Sequence, residues 1–257
     1  MKRRALDLTA LSALAERWAR IEVVEETAST NADLLADPDA PDRSMLAAEH
    51  QTAGRGRFDR SWSSPPRAGL TFSVLFRPGV PMARWGWLPL LAGLAVHEAV
   101  TEVPTRLKWP NDLLAAQDER KLAGILAQST GDAVVVGIGL NVDTTAAELP
   151  VDTATSLALS GAGVVDRTVL LAGVLTRLET RYTQWVDAGG DAAVCGVAAA
   201  YRGACATIGA RVRVAVAAGA DIEGDALDVD ELGRLVVRTP TGEESISAGD
   251  VEHLRVD

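Results

Sequence analysis

The sequence predicts a protein that combines α-helices with β-strands and ends in a small unit made only of strands. Up to about residue 205, segments with helical spacing of apolar residues are interspersed with short apolar runs typical of strands. After Ala206 the composition shifts, and five short alternating runs separated by glycine follow within about fifty residues. We therefore expect a large domain over residues 1–205 and a small C-terminal β-barrel over residues 206–257.

Four segments are predicted as helices of the large domain. In the first, Leu8, Leu11, Leu14 and Trp18 follow one another at spacings of three and four, which indicates one apolar face. Asn31 is a candidate cap for the second helix. The predicted helices cover residues 5–20, 31–35, 88–100 and 170–186.

Six short apolar segments are predicted as strands of the large domain. The fourth ends before Pro110, because proline cannot continue a strand ladder. The predicted strands cover residues 21–24, 44–48, 70–76, 106–109, 122–127 and 134–140.

Composition and charge exclude several classes of protein. Hydrophobic residues make up 47% and charged residues 23% of 257 residues, which is typical of a folded globular chain. A net charge of −10 argues against a general nucleic-acid binder. The N-terminus lacks a leader pattern and no apolar run approaches the ~20 residues of a membrane span, so the expected compartment is the cytoplasm. Cys195 and Cys205 match no disulfide framework or zinc signature, and no metal site built from protein ligands alone is expected.

The segment from Gly54 to Trp62, GRGRFDRSW, is the first candidate for chemistry. Its glycines allow a ligand to approach the backbone closely, and its crowded arginines repel one another unless an anion lies among them. A Gly/Arg loop that is simply solvated has the same pattern.

The segment KWPNDLL places Lys108 just before a proline that ends a strand. A lysine at such a strand end commonly faces a ligand crevice, although a surface lysine with a buried stem fits the same position. Asn111 and Asp112 suit either a turn after the proline or a polar site.

Two apolar segments, KLAGILAQ and VVVGIGLN, contain glycines inside predicted strands. Gly124 marks a place where another group approaches the backbone closely. Gly137 and Gly139 mark the same kind of close approach on the next strand. Simple packing between adjacent strands is the alternative, and it explains Gly137 equally well. Asn141 ends its strand as a turn residue or a ligand contact.

A fourth segment, ETASTN, brings together the hydroxyls of Ser29 and Thr30 and the amide of Asn31. These groups can cap a helix, bind a small polar head group, or do both.

These segments, in this order, resemble the biotin protein ligase family. The resemblance covers residues 26–157 and rests on AST-N, HQTAGRGR, KWPND, KLAGIL and GIGLN, with ATSL following at residues 154–157. One departure is Asp59, where the family tends to have glycine. The resemblance implies a mixed β-sheet flanked by helices, as in class II synthetase-like ligases, with a small C-terminal β-barrel.

The resemblance also implies the activity. The family uses ATP to activate biotin as biotinyl-5'-adenylate and transfers it to a lysine of a biotin carboxyl carrier protein. ATP, Mg²⁺ and biotin are therefore the expected ligands, with Mg²⁺ near Asn141. A lipoate or octanoate ligase or transferase of the same superfamily is the alternative. A long acyl tail would need a hydrophobic tunnel, whereas this sequence has Ser29, Thr30, Asn31 and Gln51 at the expected head-group positions.

The family's functional positions match residues of this sequence. The implied catalytic residues are Lys108, Arg57 and Arg55. The implied biotin-binding residues are Ser29, Thr30, Asn31, Gln51, Arg55, Gly56, Arg57, Lys108, Gly124 and Ile125. The implied ATP- or adenylate-binding residues are Arg57, Trp62, Lys108, Asn111, Lys121 and Asn141. Trp62 could form one wall of the biotin or adenine site, or it could be an aromatic side chain of the hydrophobic core. Lys121 fits a phosphate contact or a group that orients the target lysine.

The expected partner is the carrier protein or domain of an acyl-CoA or pyruvate carboxylase. No DNA partner is expected, because 28 residues precede Ser29 and a winged helix-turn-helix needs roughly sixty. No membrane partner is expected, and we expect a monomer or a weak homodimer.

Overall fold

The computed structural model describes residues 3–58, 60–216 and 220–254. These residues form a seven-stranded sheet with helices on both faces and a separate five-stranded sheet. The fold class predicted from the sequence is confirmed. No helix of the described residues is long and apolar enough to cross a membrane.

The seven-stranded sheet has the order β1-β2-β3-β7-β6-β5-β4. Strands β1 and β2 are parallel, and every other neighbouring pair is antiparallel. The strands are β1 (Arg20–Thr27), β2 (Ser44–Gln51), β3 (Gly69–Phe76), β4 (Thr105–Lys108), β5 (Asp112–Ala115), β6 (Lys121–Thr130) and β7 (Ala133–Asn141).

Five α-helices accompany the sheet among the described residues. Helices α3 and α4 pack together on one face, with α5 against α3, whereas α2 contacts β2, β3 and β7 on the other face. The helices are α1 (Leu8–Leu11), α2 (Thr30–Leu35), α3 (Trp87–Ala99), α4 (Arg167–Asp187) and α5 (Val197–Ala204). Two short 3₁₀ turns cover Ser12–Leu14 and Met82–Arg84.

The predicted N-terminal helix over residues 5–20 is wrong. Asp7 caps only the four-residue α1, which is followed by a 3₁₀ turn. Leu11 and Trp18 are buried as predicted, but Leu8 is exposed, so tertiary packing rather than one helical face determines burial here.

Three other details of the predicted elements differ from the structure. The side chain of Ser29, not Asn31, caps α2 by accepting a hydrogen bond from the backbone of Ala32. Strand β5 and helix α5 were not predicted, because each is short and carries no clear period. The remaining predicted helices and strands are present, most of them with slightly different ends.

The C-terminal sheet contains the five predicted strands in the order β11-β10-β9-β8-β12. They are β8 (Arg211–Ala215), β9 (Ile222–Val229), β10 (Leu235–Thr239), β11 (Gly242–Ile246) and β12 (Asp250–His253). Among the described residues, β11 and β12 are its two edges, so its hydrogen bonding is that of an open sheet.

The two sheets share one apolar core. Buried side chains of the C-terminal sheet, such as Val212 and Val237, belong to the same cluster as the helices of the large domain. Two indole N–H groups cross the junction: Trp87 Nε1 donates to Glu231 O and Trp109 Nε1 donates to Gly233 O, each at 3.1 Å. The small sheet is therefore packed beside β4, close to Lys108. Cys195 and Cys205 are both free thiols, and Cys205 is buried.

Candidate active site

A cleft of about 1010 Å³ opens on the face of the large sheet that carries α2. Its walls are the start of α2, the loop from Gly54 to Trp62 (here the arginine loop), the turn after Lys108 and strand β12. All fourteen site residues predicted from the sequence line it: Ser29, Thr30, Asn31, Gln51, Arg55, Gly56, Arg57, Trp62, Lys108, Asn111, Lys121, Gly124, Ile125 and Asn141.

The end of the cleft nearest α2 is a polar cluster around Thr30. The backbone N–H and the hydroxyl of Thr30 lie 2.8 and 3.0 Å from Gln51 Oε1. The same hydroxyl lies 2.7 Å from the hydroxyl of Ser73 on β3. Ser29 and Thr30 are both almost fully buried, so this cluster is held rigidly before any ligand arrives.

Asn31 joins α2 to the middle of the sheet. Its Oδ1 accepts a hydrogen bond of 2.6 Å from Ser73, and its Nδ2 donates one of 2.8 Å to Gln128 Oε1. A Cβ atom on Gly137 would lie 2.2 Å from Asn31 Oδ1. Gly137 is therefore needed because the Asn31 side chain approaches its backbone closely. Packing between adjacent strands alone does not explain this glycine.

The arginine loop is a tight hairpin. Trp62 N donates to Gly54 O at 2.9 Å, and Gly56 N donates to Arg60 O at 2.6 Å. A Cβ atom on Gly54 would lie 2.4 Å from the backbone oxygen of Trp62, so only glycine fits there. Asp59, where the sequence departs from the family pattern, lies outside the described residues.

Arg57 extends from this loop to two other segments. Its Nη1 lies 3.1 Å from Asn111 Oδ1 and 3.1 Å from Gly249 O, and it donates to both. Burial lowers the pKa of the guanidinium, while the charges of Asp112 and Asp250 raise it. Arginine keeps its proton under these conditions, so the cleft holds a fixed, partly buried cation.

Trp62 covers two glycines on the floor of the cleft. A Cβ atom on Gly139 would lie 2.2 Å from the indole Cε2, and one on Gly124 would lie 3.4 Å from Cζ3. The indole is half-buried. Within the described part of the chain its Nε1 has no hydrogen-bond partner. Trp62 therefore lines the cleft and is not a residue of the main core, and these two glycines make room for its ring.

Lys108, Lys121 and Asp112 form the charged end of the cleft. Lys121 Nζ lies 2.6 Å from Asp112 Oδ1, and Asp112 pairs in register with Lys108 across β4 and β5. Within residues 3–58, 60–216 and 220–254, the Lys108 ammonium has no ion-pair partner within 4.0 Å. Asn111 donates to Ile125 O at 3.3 Å, which holds the turn against β6. Lys108 is thus a cation available to an anionic ligand.

Comparison with known proteins shows where this arrangement belongs. The profile of the biotin/lipoate A/B protein ligase family matches residues 21–144, and that of the biotin protein ligase C-terminal domain matches residues 207–254. A biotin–[acetyl-CoA-carboxylase] ligase of Mycobacterium tuberculosis is 45% identical over 248 residues, covering 93% of this chain and 90% of the relative. The chain belongs to the biotin protein ligase family.

Other members of the family support the same grouping. A bifunctional ligase/repressor of Bacillus subtilis is 31% identical over 242 residues, which cover 90% of this chain and 72% of the relative. The Aquifex aeolicus biotin protein ligase, solved with biotin and ATP, superposes with a TM-score of 0.73 at 30% identity, over 91% of this chain and 98% of that one. The Leishmania major enzyme, solved with biotinyl-5-AMP, gives 0.61 at 25% identity, over 89% and 99% of the two chains.

Several residues that line the cleft were not predicted as site residues of this ligase-family chain. Asp112 was interpreted as a candidate turn former, yet its carboxylate pairs with Lys121 and it lies opposite Lys108 in the register of β4 and β5. The four residues of β12, Asp250 to His253, lie more than a hundred residues from the other walls in sequence. Asp112 carried a signal in the sequence, because it directly follows Asn111 in the segment that contains Lys108. Gly137 and Gly139, which also line the cleft, had been identified as possible places of close approach, whereas β12 carried no signal.

Asn141 ends β7 at the far side of the cleft and is buried. Its Nδ2 donates a hydrogen bond of 3.0 Å to Thr155 O, so the amide is held in one orientation. No group of three His, Cys, Asp or Glu side chains within the described ranges is placed to hold a metal ion.

Proposed function

We propose that this protein is a biotin–[biotin carboxyl-carrier protein] ligase that uses ATP to form biotinyl-5'-adenylate and passes biotin to one lysine of the carrier. The observation that carries the proposal is the cleft itself. It brings five sequence-distant segments of the family pattern together, with a rigid polar cluster at one end and cations at the other.

The first step joins two anions, and this requires positive charge in a pocket with little water. A biotin carboxylate oxygen attacks the α-phosphorus of ATP, the bond to the bridging oxygen breaks, and pyrophosphate leaves. Lys108 is our choice for the group that contacts both the carboxylate and the α-phosphate. Arg57 and Arg55 supply further positive charge on the phosphate side, where Arg57 is already partly desolvated.

The neutral ureido ring of biotin suits the polar end of the cleft. Its two N–H groups and its carbonyl need acceptors and donors in fixed positions, and these are provided by the side chains of Ser29, Thr30, Asn31 and Gln51 and by the backbone of residues 55–57. Gly124 and Ile125 would line its apolar flank. A lipoate or octanoate head lacks these groups, so the alternative substrate class is not favoured.

The nucleotide is assigned to the charged end. Trp62 offers an aromatic face, Asn111 and Asn141 offer amides, and Lys121 offers a cation that is now paired with Asp112. Mg²⁺ would bind mainly the β- and γ-phosphates, with the Asn141 side chain nearby, and it supplies charge neutralisation of the leaving pyrophosphate.

In the second step the ε-amine of the carrier lysine attacks the acyl carbon of the adenylate. The carbon–oxygen bond to AMP breaks, an amide forms, and the amine loses a proton. The adenylate must be protected from water until the carrier arrives, and the arginine loop is placed to cover it.

We also propose the finer features of this ligase. Its acceptor is the carrier domain of an acyl-CoA or pyruvate carboxylase, it acts as a monomer or weak homodimer, and it does not bind DNA. The net charge of −10 supports the last point, because it opposes contacts with phosphates of a nucleic acid. Sedimentation and a low-salt gel shift with biotin and ATP present test these two features.

The decisive experiment uses purified protein, labelled biotin, Mg·ATP and a biotin carboxyl carrier domain. We expect pyrophosphate release that depends on biotin, and label on the carrier that is lost when its target lysine is replaced by arginine. The matched reaction contains lipoate or octanoate in place of biotin. Equal or greater transfer of either acid would contradict the proposed substrate.

A further inference from the structure

The C-terminal sheet reaches the cleft through its edge strand β12, and His253 is the last residue of that strand. Val251 and His253 alternate with Asp250 and Glu252, so they lie on the face of the strand that packs toward the large domain. His253 is half-buried and lines the cleft. Neither the family pattern in the sequence nor the two ligation steps assigns it a role.

The imidazole of His253 is hydrogen-bonded to a fully buried threonine. Its Nε2 lies 3.1 Å from the hydroxyl of Thr207, whose side chain has no exposed surface. The same hydroxyl accepts a hydrogen bond of 3.0 Å from the backbone N–H of Trp109. The Thr207 hydroxyl thus lies between the imidazole and the residue directly after Lys108.

The chain around Thr207 holds the backbone on both sides of Lys108. Ala206 N donates to Leu107 O at 2.7 Å, and a parallel bridge pairs Leu107 with Cys205. Residues 205–207 therefore add a short edge to the sheet beside the end of β4. Lys108 is the residue between these two anchored peptide groups.

Hydrogen-bond roles follow from this geometry. The Thr207 oxygen accepts from Trp109 N–H, and among the described residues His253 Nε2 is the acceptor within reach of its buried hydroxyl proton, so we assign that proton to the bond with His253. That nitrogen must then be the unprotonated one of a neutral imidazole. Burial lowers the pKa of His253, and the charges of Lys108 and Arg106 on β4 lower it further, whereas Glu119 raises it. The neutral form is the one that this environment favours near pH 7.

We propose that His253 is a positioning residue for Lys108: by accepting the Thr207 hydroxyl proton it orients the lone pair that binds Trp109 N–H, and so holds the strand end that presents the Lys108 ammonium to the two reacting anions. This inference rests on the proposed function, since it concerns the first step of that reaction. The C-terminal sheet would thereby take part in adenylation through the hydrogen bond between His253 and Thr207, which does not itself contact biotin or ATP.

His97 on helix α3 offers a matched control, because it contacts the other end of the same strand β4. Its Nδ1 lies 2.7 Å from the hydroxyl of Thr105 at the opposite end of β4, it is half-buried, and burial lowers its pKa as well. It does not line the cleft. His97→Ala therefore removes the same kind of histidine–threonine hydrogen bond without touching the Lys108 end of the strand.

The kinetic test measures biotin-dependent pyrophosphate release per active site, with the active sites counted by a single-turnover burst. His253→Ala and Thr207→Val should each lower kcat about three- to tenfold, the value of one net hydrogen bond, and should leave the KM for biotin within about twofold. His253→Gln, which restores an acceptor, and Thr207→Ser, which restores the hydroxyl, should recover most of the rate. His97→Ala should keep the wild-type kcat.

The double variant His253→Ala/Thr207→Val should be no slower than either single variant, because the two residues act through one contact.

An equal loss of kcat in His97→Ala, or fully additive losses in the double variant, would overturn the proposal. A second measurement is independent of activity: ¹⁵N NMR of the histidine side chains should show His253 protonated on Nδ1 alone, and Thr207→Val should abolish that preference. Protonation of Nε2 in the wild-type protein would also overturn it. If wild-type protein forms no adenylate, the proposed function fails. The NMR result still decides whether Thr207 donates its hydroxyl proton to His253.

Discussion

The guanidinium of Arg57 donates a hydrogen bond of 3.1 Å to the side-chain oxygen of Asn111. This contact joins the arginine loop to the turn that follows Lys108, and the same nitrogen also reaches Gly249 beside β12. One side chain therefore connects the three walls of the cleft that are not part of α2. These two hydrogen bonds hold the arginine loop against the turn after Lys108 and against the segment before β12.

Lys108→Ala should nearly abolish adenylate formation. The ammonium is the available cation at the point where two anions must meet, and loss of one preorganised charge costs on the order of 10²–10³ in rate. Biotin-dependent pyrophosphate release measures the effect. Arg106→Ala removes a positive charge two residues earlier on the same strand, outside the cleft, and should keep most of the activity. Pyrophosphate release at the wild-type rate in Lys108→Ala would contradict the assignment.

Arg57→Gly should weaken retention of the adenylate more than it weakens biotin binding. The variant loses both the charge and the contacts to Asn111 and Gly249 that hold the loop over the cleft. We expect faster escape of the intermediate and labelling of lysines on a bystander protein such as serum albumin. Arg84→Gly, which removes an arginine outside the cleft, is the control. An unchanged dissociation rate of the adenylate would count against this role.

Truncation after residue 205 tests the proposed boundary between the domains. We expect residues 1–205 to keep the far-UV circular dichroism of the large sheet, with a lower Tm and little adenylate formation. The cut exposes Trp87 and Trp109 and removes the hydrogen bonds that residues 206 and 207 form beside Lys108. Trp109→Phe in the full chain removes the indole donor to Gly233 and part of one buried ring, and it should be milder than the truncation. A truncated chain that does not fold would show that the boundary is wrong.

Arg167→Met should destabilise the fold by about 3–5 kcal/mol, because it leaves the buried carboxylate of Glu49 without its cation. The two side chains are 7% and 2% exposed and their charged atoms lie 2.7 Å apart. Urea unfolding measures the loss. Arg213→Met breaks an exposed pair with Glu223 at the same 2.7 Å separation and should change stability little. Equal losses in the two variants would show that burial is not the cause.

Glu148 predicts a defined acid dependence of stability. Hydrogen bonds from Arg3 and from the backbone of Thr145 lower its pKa from 4.5 to about 2. A carboxyl whose pKa is lower in the folded state stabilises the fold above the unfolded pKa, and this contribution disappears as the pH falls through the folded value. The Tm difference between wild type and Glu148→Gln should therefore be largest above pH 4.5 and shrink toward pH 2. Asp152→Asn, which changes a carboxylate that is exposed and near Glu148 in sequence, is the matched control variant. A difference that stays constant with pH would contradict the ion pair as its origin.

The sequence by itself determined most of the secondary structure and fourteen of the residues that line the cleft. Strands β2, β3, β6 and β7 follow from continuous or alternating apolar runs, and α4 follows from a 3.6-residue period, because these patterns record burial within a few neighbouring residues. These fourteen residues could be predicted because chemistry-bearing side chains cluster in short segments whose order matches one family. Each of those segments needs only its own local spacing to be recognised.

Only the tertiary structure decided how those segments cooperate. Asp112 matters because it pairs with Lys121 across β5 and β6. Gly139 matters because the indole of Trp62 lies directly over it. His253 matters because it contacts Thr207, 46 residues earlier in the chain. The failed helix at residues 5–20 has the same cause, since the burial of Leu11 and Trp18 comes from packing onto the large domain. Contacts between residues distant in sequence leave no period and no spacing, and they exist only once the two sheets have packed around a common core.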